Sequence, residues 1–204
     1  MLFKSKEENL YRLGDIAYKI HNVVLSVRLD SILDLKKIAL RSKNTEFNSK
    51  RFHGLIMRSR DPKATAIVFK SGSMICTGAK SEKDGKEAIL KFVKIIRNAG
   101  FTDLKMQNYR ITNIFATMDY KVPINLMQIH IAFPRITKHE PEVHRGLLYY
   151  PFDTKLLVTI YASGKITITG AKSMSILERV RNNLTNMILQ MRIRNNDSDK
   201  LISY

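Results

Sequence analysis

Ser71-Gly72-Ser73-Met74-Ile75-Cys76-Thr77-Gly78-Ala79-Lys80 returns as Ser163-Gly164-Lys165-Ile166-Thr167-Ile168-Thr169-Gly170-Ala171-Lys172, so the pattern S-G-x-x-x-x-T-G-A-K recurs at a spacing of 92. The flanks repeat with it. A helical pattern follows each copy. An Asn inside a strand pattern precedes each at matching distance, in Asn22-Val23-Val24 and in Asn113-Ile114-Phe115. Repetition on this scale governs the fold, because each copy is one structural unit used again. The boundaries read as an N-terminal extension over 1–20, a first repeat over 21–101, a second over 102–194 and a polar C-terminal tail over 195–204.

Each copy reads as strand, short helix, several strands and long helix. His21 to Arg28 alternates like a strand, with Val23, Leu25 and Val27 on one face and Asn22, Val24 and Ser26 on the other. Asp34 caps a short helix through about Arg41. Leu55–Arg60, Ala64–Phe69 and Ser73–Thr77 are short strands separated by Asp61-Pro62 and Ser71-Gly72. Ser81 with Asp84 opens a helix carrying Ile89, Phe92, Val93 and Ile96, and Gly100 closes it. In the second copy, Ser175 with Glu178 is expected to cap a helix whose stripe of Leu177, Val180, Leu184, Met187, Ile188 and Met191 reads as core. Antiparallel sheets packed under helices make this an α+β protein.

Alternate side chains of a strand point to opposite faces. If Val23, Leu25, Val27, Ala66, Val68, Met74 and Cys76 face the helices, the other face carries Asn22, Val24, Ser26, Thr65, Ile67, Phe69, Ser73, Ile75 and Thr77. Its counterpart in the second copy carries Asn113, Phe115, Thr117, Leu157, Thr159, Tyr161, Lys165, Thr167 and Thr169. No acidic residue stands among these positions. A sheet covered on one side usually turns charged residues to water on the other, so a broad semi-apolar face of this kind reads as a contact surface.

The 204 residues include 35 Lys+Arg against 18 Asp+Glu, a formal charge of +17. Residues 21–101 hold 17 basic and 7 acidic side chains, and residues 102–194 hold 13 and 6. The excess is therefore spread over the folded surface, which favours a polyanionic partner. A hydrophobic content of 44% excludes wholesale disorder. The single Cys76 excludes a disulfide framework and a Cys-rich zinc module. His21, His53, His130, His139 and His144 show no paired ligand spacing with a carboxylate, so no metal is expected. No glycine-rich phosphate loop follows a strand, and no Ser/His/Asp or Cys/His set stands out. Neither a cofactor nor an enzymatic activity is expected. No apolar run reaches the ~18 residues of a membrane span, and MLFKSKEENLYRLGD lacks the apolar core of a signal peptide. The expectation is a soluble, intracellular protein without a membrane partner.

Several longer motifs occur in order within the duplicated frame. They are His21-Asn22-Val23-Val24, Leu33-Asp34-Leu35-Lys36-Lys37-Ile38-Ala39-Leu40-Arg41, Asn44-Thr45-Glu46-Phe47-Asn48, Lys50-Arg51-Phe52, Ile56-Met57-Arg58, Thr77-Gly78-Ala79-Lys80-Ser81-Glu82, Glu140-Pro141-Glu142 and Thr169-Gly170-Ala171-Lys172. Over about residues 20–192 the chain resembles the TATA-box-binding protein family. The resemblance implies a saddle of two pseudo-symmetric repeats, each an antiparallel sheet backed by two helices on the convex side. Its concave face would grip the minor groove of double-stranded DNA at A/T-rich, TATA-type promoter elements. It also implies a nuclear general transcription initiation factor, monomeric on DNA, that recruits other general factors. Two alternatives stand beside this: a related factor with altered sequence preference, or a protein-interaction scaffold with weak DNA binding.

The chemistry of the face suits such a groove. A·T and T·A pairs present only acceptors there, and G·C adds a protruding amine. Asn22 and Asn113 would donate to either orientation of an A·T pair. Val24, Ile75, Thr77, Thr167 and Thr169 would allow close approach, with Ser26, Thr65, Ile67, Thr117, Leu157 and Thr159 beside them. Arg58 is the foremost phosphate contact by motif, followed by Arg41, Arg60, Lys63, Lys70 and Lys155. Proteins of this family kink the duplex with inserted apolar wedges. The resemblance assigns these, two per half, to Phe52 and Phe69 and to His144 and Tyr161. His144 is smaller and more polar than a phenyl ring, Phe115 replaces a smaller residue, Tyr150 stands for an Arg, and Thr159 and Thr167 stand for aliphatic residues. The second half has thus drifted from the family pattern. Glu140, Glu142 and Val143 match the loop that contacts factor IIB in the family. Asn44–Ser49 matches the loop near factor IIA, and Lys86, Lys91, Lys94 and Arg97 offer a basic helix face to regulators.

Overall fold

The computed structural model describes residues 16–151 and 155–201, with the side chains of the last helix described through Met191. Residues 1–15 of the expected N-terminal extension lie outside the described residues. The first repeat runs β1 (Lys19–Leu29), α1 (Leu35–Arg41), β2 (Thr45–Glu46), β3 (Gly54–Arg60), β4 (Lys63–Phe69), β5 (Ser73–Ala79) and α2 (Glu82–Asn98). The second runs β6 (Met106–Asp119), α3 (Leu126–Ala132), β7 (Thr137–Lys138), β8 (Leu147–Tyr149), β9 (Leu157–Ile160), β10 (Lys165–Ala171) and α4 (Met174–Leu201). The α+β architecture of two repeats, each an antiparallel sheet with two helices, is present as expected.

Compact packing divides the chain at Ile114/Phe115, inside β6, and not at the repeat boundary of 101/102. In the unit Ile20–Ile114 the strand order is β2-β3-β4-β5-β1-β6. In the unit that begins at Phe115 the order is β6-β10-β9-β8-β7. The division moves because the first half of β6 bonds to β1. Thr112 Oγ1 donates to the Val24 carbonyl at 3.1 Å, and Arg110 Nε donates to Ser26 Oγ at 3.2 Å.

The motif that repeats is explained by backbone shape. Both glycines of each copy take positive φ: 83° at Gly72, 95° at Gly78, 90° at Gly164 and 93° at Gly170. A side chain at Gly72 would strike the carbonyl oxygens of Leu29 and Ser31, and one at Gly164 would strike that of Val122. The first glycine of the motif thus marks a tight approach of the turn to neighbouring backbone, where only hydrogen fits.

Caps follow the same logic in both repeats. Asp34 accepts from the Lys37 N–H at 3.0 Å, Ser81 from Asp84 at 3.0 Å and Asn125 from Gln128 at 3.1 Å. The last helix departs from expectation. Ser173, not Ser175, accepts from the Ile176 N–H at 3.3 Å, while Ser175 sits inside the first turn with its hydroxyl 2.8 Å from that of Ser173. The helix also runs to Leu201, past residue 195, because no Gly or Pro interrupts the chain after Gly170.

Beneath the helices lies the apolar face. Val23, Leu25, Val27, Ala66, Val68, Met74 and Cys76 are all buried, and so are Ile114, Ala116, Val158, Ile160, Ile166 and Ile168 in the second unit. Helix α2 packs on β4 and β5 and α1 on β3, while α4 packs on β10 and α3. The stripe Leu177, Val180, Leu184, Met187, Ile188 and Met191 is buried throughout, as a core stripe must be. Burial pushes the Cys76 thiol up to about 11. Iodoacetamide at pH 8 should leave Cys76 unmodified in the native protein and alkylate it in denaturant; rapid native labelling would contradict the packing. Because the folded value lies above that of the unfolded chain, the stabilisation from keeping this thiol neutral is fully present below about pH 9 and is lost as the pH rises towards 11.

Candidate nucleic-acid interface

Among the described residues, the opposite face of each sheet is the more exposed one. Asn22, Val24 and Ser26 on β1, Thr65, Ile67 and Phe69 on β4, and Thr77 on β5 are half-buried, and Ile75 is exposed. Asn113, Phe115 and Thr117 on β6, Leu157 on β9, Thr167 and Thr169 on β10, and Tyr161 just after β9 are half-buried too. The expected alternation therefore holds strand by strand, with one exception. Thr159 belongs to this face by register but is only 7% exposed. Its methyl lies against Gly146, where any added side chain would press on it and on the His144 ring.

Strand register arranges these residues in rows. Thr65 stands between Arg58 and Thr77, and Ile67 between Ile56 and Ile75. In the second unit Thr159 stands between Leu148 and Thr167, and Leu157 opposite Thr169. Ile56 and Leu148 belong to the face as well. The sequence reading missed both, although Ile56 alternates with the buried Leu55 and Met57 and was open to a period-two argument.

Asn22 is held by the first copy of the motif. The β1–β5 register slips between Val23/Ala79 and Leu25/Cys76, so three residues of β5 span two of β1. Asn22 Oδ1 fills the gap by accepting from the Gly78 N–H at 2.7 Å and from Thr77 Oγ1 at 3.2 Å. Both bonds end on the carbonyl oxygen, which orients the amide and leaves its NH2 as donor. Asn113 takes the corresponding place on β6, the strand neighbouring β1.

Each repeat carries one ring pair. Phe52, 42% exposed, stands edge-on to Phe69 with centroids 6.2 Å apart. His144 and Tyr161 are paired at 6.3 Å. A glycine makes room for the first ring of each pair: a Cβ on Gly54 would fall 2.6 Å from Phe52 Cε1, and one on Gly146 would fall 3.0 Å from His144 Cε1. The His144 ring is also tied down, with Nδ1 2.9 Å from the Gly146 carbonyl oxygen and 3.0 Å from the Gly146 nitrogen.

Charge placement brings two corrections. Glu46 lies opposite Ile56 and so shares the outward face, which therefore has an acidic residue at its edge. Strand β2 is two residues long, too short to leave a pattern in the sequence. Glu46 pairs with Arg58 at 3.2 Å, with both side chains more than half exposed. Such a pair is worth only about 0–1 kcal/mol, so a phosphate can displace Glu46. Arg41 lies on α1 and donates to the Ala99 carbonyl at 3.2 Å, which ties it to the end of α2 and away from the sheet's open face. Arg60, Lys63, Lys70 and Lys155 are exposed. The loop at Glu140–Val143 is a tight turn in which the Glu140 carbonyl accepts from Val143 and His144 at 3.0 and 2.8 Å. Its Glu140 carboxylate meets Lys138 at 3.1 Å, Glu142 is exposed, and Val143 is 81% exposed. Among the described residues no three His, Cys, Asp or Glu side chains gather as a metal ion would require.

Comparison with known proteins agrees with this geometry. The family model described as transcription factor TFIID, or TATA-binding protein, matches residues 17–99 and again 108–191, once per repeat. The TATA-box-binding protein of Tetrahymena thermophila is 45% identical over 170 residues, covering 83% of this chain and 66% of that protein. That of Acetabularia peniculus is 40% identical over 190 residues, covering 89% and 99%. That of Bombyx mori is 44% identical over 154 residues, covering 76% and 50%, so the chain spans between half and all of the length of these relatives. The solved Methanococcus jannaschii TBP matches with a TM-score of 0.69 and 34% identity over 85% of this chain and 98% of that one. With both repeats matched, Gly78 bonded to Asn22, and a ring pair in each repeat, the chain belongs to the TATA-binding protein family.

Proposed function

We propose that this chain is a non-enzymatic general transcription initiation factor of the nucleus. It binds the minor groove of double-stranded DNA at A/T-rich, TATA-type promoter elements. The observation that carries the reading is the open β face itself. It offers an oriented Asn22 amide, short hydroxyl and aliphatic side chains, and a ring pair in each repeat. The amide donates to the acceptors that every A·T pair presents, and Val24, Ile67, Ile75 and Thr77 pack on the groove floor where a guanine amine would protrude. Phe52 with Phe69, and His144 with Tyr161, enter between base steps and kink the duplex. Arg58, Arg60, Lys63, Lys70 and Lys155 position the backbone without reading sequence. Factor IIB docks at Glu140, Glu142 and the exposed Val143, and factor IIA near Asn44–Ser49.

Titration of the purified protein against a TATA duplex and a G·C-rich duplex, at several salt concentrations, tests this. A protein making 6–10 phosphate contacts loses roughly 10³–10⁵ in affinity between 50 and 200 mM salt. The expected result is that steep dependence, with the TATA duplex bound more tightly and bent. Weak, salt-insensitive binding alongside a retained factor IIB contact would make the chain an interaction scaffold instead.

A further inference from the structure

One row of the open face differs in kind between the repeats. In the first, three strands place Ile56, Ile67 and Ile75 side by side. In the second, the same row holds Leu148, Thr159 and Thr167. Thr159 is buried with its methyl against Gly146, whereas Thr167 is half-exposed, and among the described residues its hydroxyl makes no hydrogen bond. The second repeat therefore presents an available acceptor where the first presents a methyl-ended chain.

From this we infer that Thr167 is a specificity-determining residue that admits a G·C pair under the second repeat, at the place where Ile75 excludes one under the first. The inference rests on the minor-groove reading above. Guanine N2 is the only donor that a base pair adds to the groove floor. Against Ile75 that amine loses its water and gains no acceptor, which is the costly case for a buried polar group. Against Thr167 it can donate to Oγ1, and the shorter side chain leaves it room. The threonine methyl still packs on an A·T pair, so tolerance is gained without demanding G·C. Two unequal halves also give the protein a preferred orientation on an otherwise symmetric A/T site, with the tolerant end under the second repeat.

The test is a set of duplexes in which a single G·C pair is walked through an A/T box, bound by the full chain. Ser163→Cys, at the exposed β9–β10 turn, carries a tethered DNA-cleavage reagent that marks which half lies under the second repeat. Native Cys76 is buried and does not compete for the reagent. A G·C pair under the first repeat should weaken binding roughly tenfold to a hundredfold, and one under the second less than about threefold. Thr167→Ile should raise the second penalty to the level of the first, and Ile75→Thr should lower the first. Tight binding to the all-A/T duplex with equal penalties under both repeats overturns this inference alone. Failure to prefer the all-A/T duplex over a G·C-rich one overturns the parent reading, and this inference with it.

Discussion

Phe52→Ala combined with Phe69→Ala is expected to abolish most of the DNA bend contributed by the first repeat and to weaken binding by on the order of a hundredfold or more. Contacts between an aromatic ring and a base are worth about 1–3 kcal/mol each, and two rings act together here. Their arrangement is already set without DNA. Phe52 lies over Gly54, its ring edge-on to Phe69 at 6.2 Å, so a base step meets a formed wedge. The bend, read by energy transfer between dyes at the duplex ends, should fall more than the affinity, because the phosphate contacts proposed for Arg60, Lys63 and Lys70 are left in place. His144→Phe should act in the opposite direction, giving the second repeat an apolar ring in place of the imidazole. A double variant that bends DNA as the parent does, with an unchanged thermal midpoint, would remove these rings from the mechanism.

The ring pairs came from the family resemblance; which other parts of the site were legible follows from the range of each interaction. Alternation along a strand is local, so the outward placement of Asn22, Val24, Ser26, Thr65, Ile67 and Phe69 could be read from spacing alone. The caps at Asp34 and Ser81 are local too. Ser175 misled because the serine two residues earlier satisfies the same helix end. Thr159 could not be placed correctly from its strand, since its methyl lies against Gly146, 13 residues back in sequence, in a turn tied to His144 by hydrogen bonds. Glu46 was missed for a related reason: two residues of strand carry no period, and only pairing with Ile56 puts the carboxylate on the open face beside Arg58. The motif glycines stood out by repetition. The cause at Gly78, a strand slip whose unpaired Gly78 N–H is taken up by Asn22, is a contact across 56 residues.

The largest effect on stability is expected from Phe92→Ala. Phe92 is the largest fully buried side chain among the described residues. It sits on the inner face of α2 with Ala88, Ile89, Val93 and Ile96, against β4 and β5, the strands that present Thr65, Ile67, Ile75 and Thr77 on their other side. Removing a buried phenyl ring costs about 3–5 kcal/mol in lost transfer energy and residual cavity. For a chain of this size that corresponds to a fall of roughly 6–20 °C in the thermal midpoint. The same helix supplies its own control. Leu90 is 47% exposed on the outer face, and Leu90→Ala should shift stability by no more than about 0.5 kcal/mol. On the proposed function DNA binds only the folded chain, so saturating TATA duplex should raise the midpoint of the Phe92→Ala variant by the linkage relation. Comparable losses from the two substitutions would mean that α2 does not carry the sheet on the face where Phe92 lies. A large loss at Phe92 alone, recovered with DNA, would tie the packing beneath the sheet to the groove-reading surface above it.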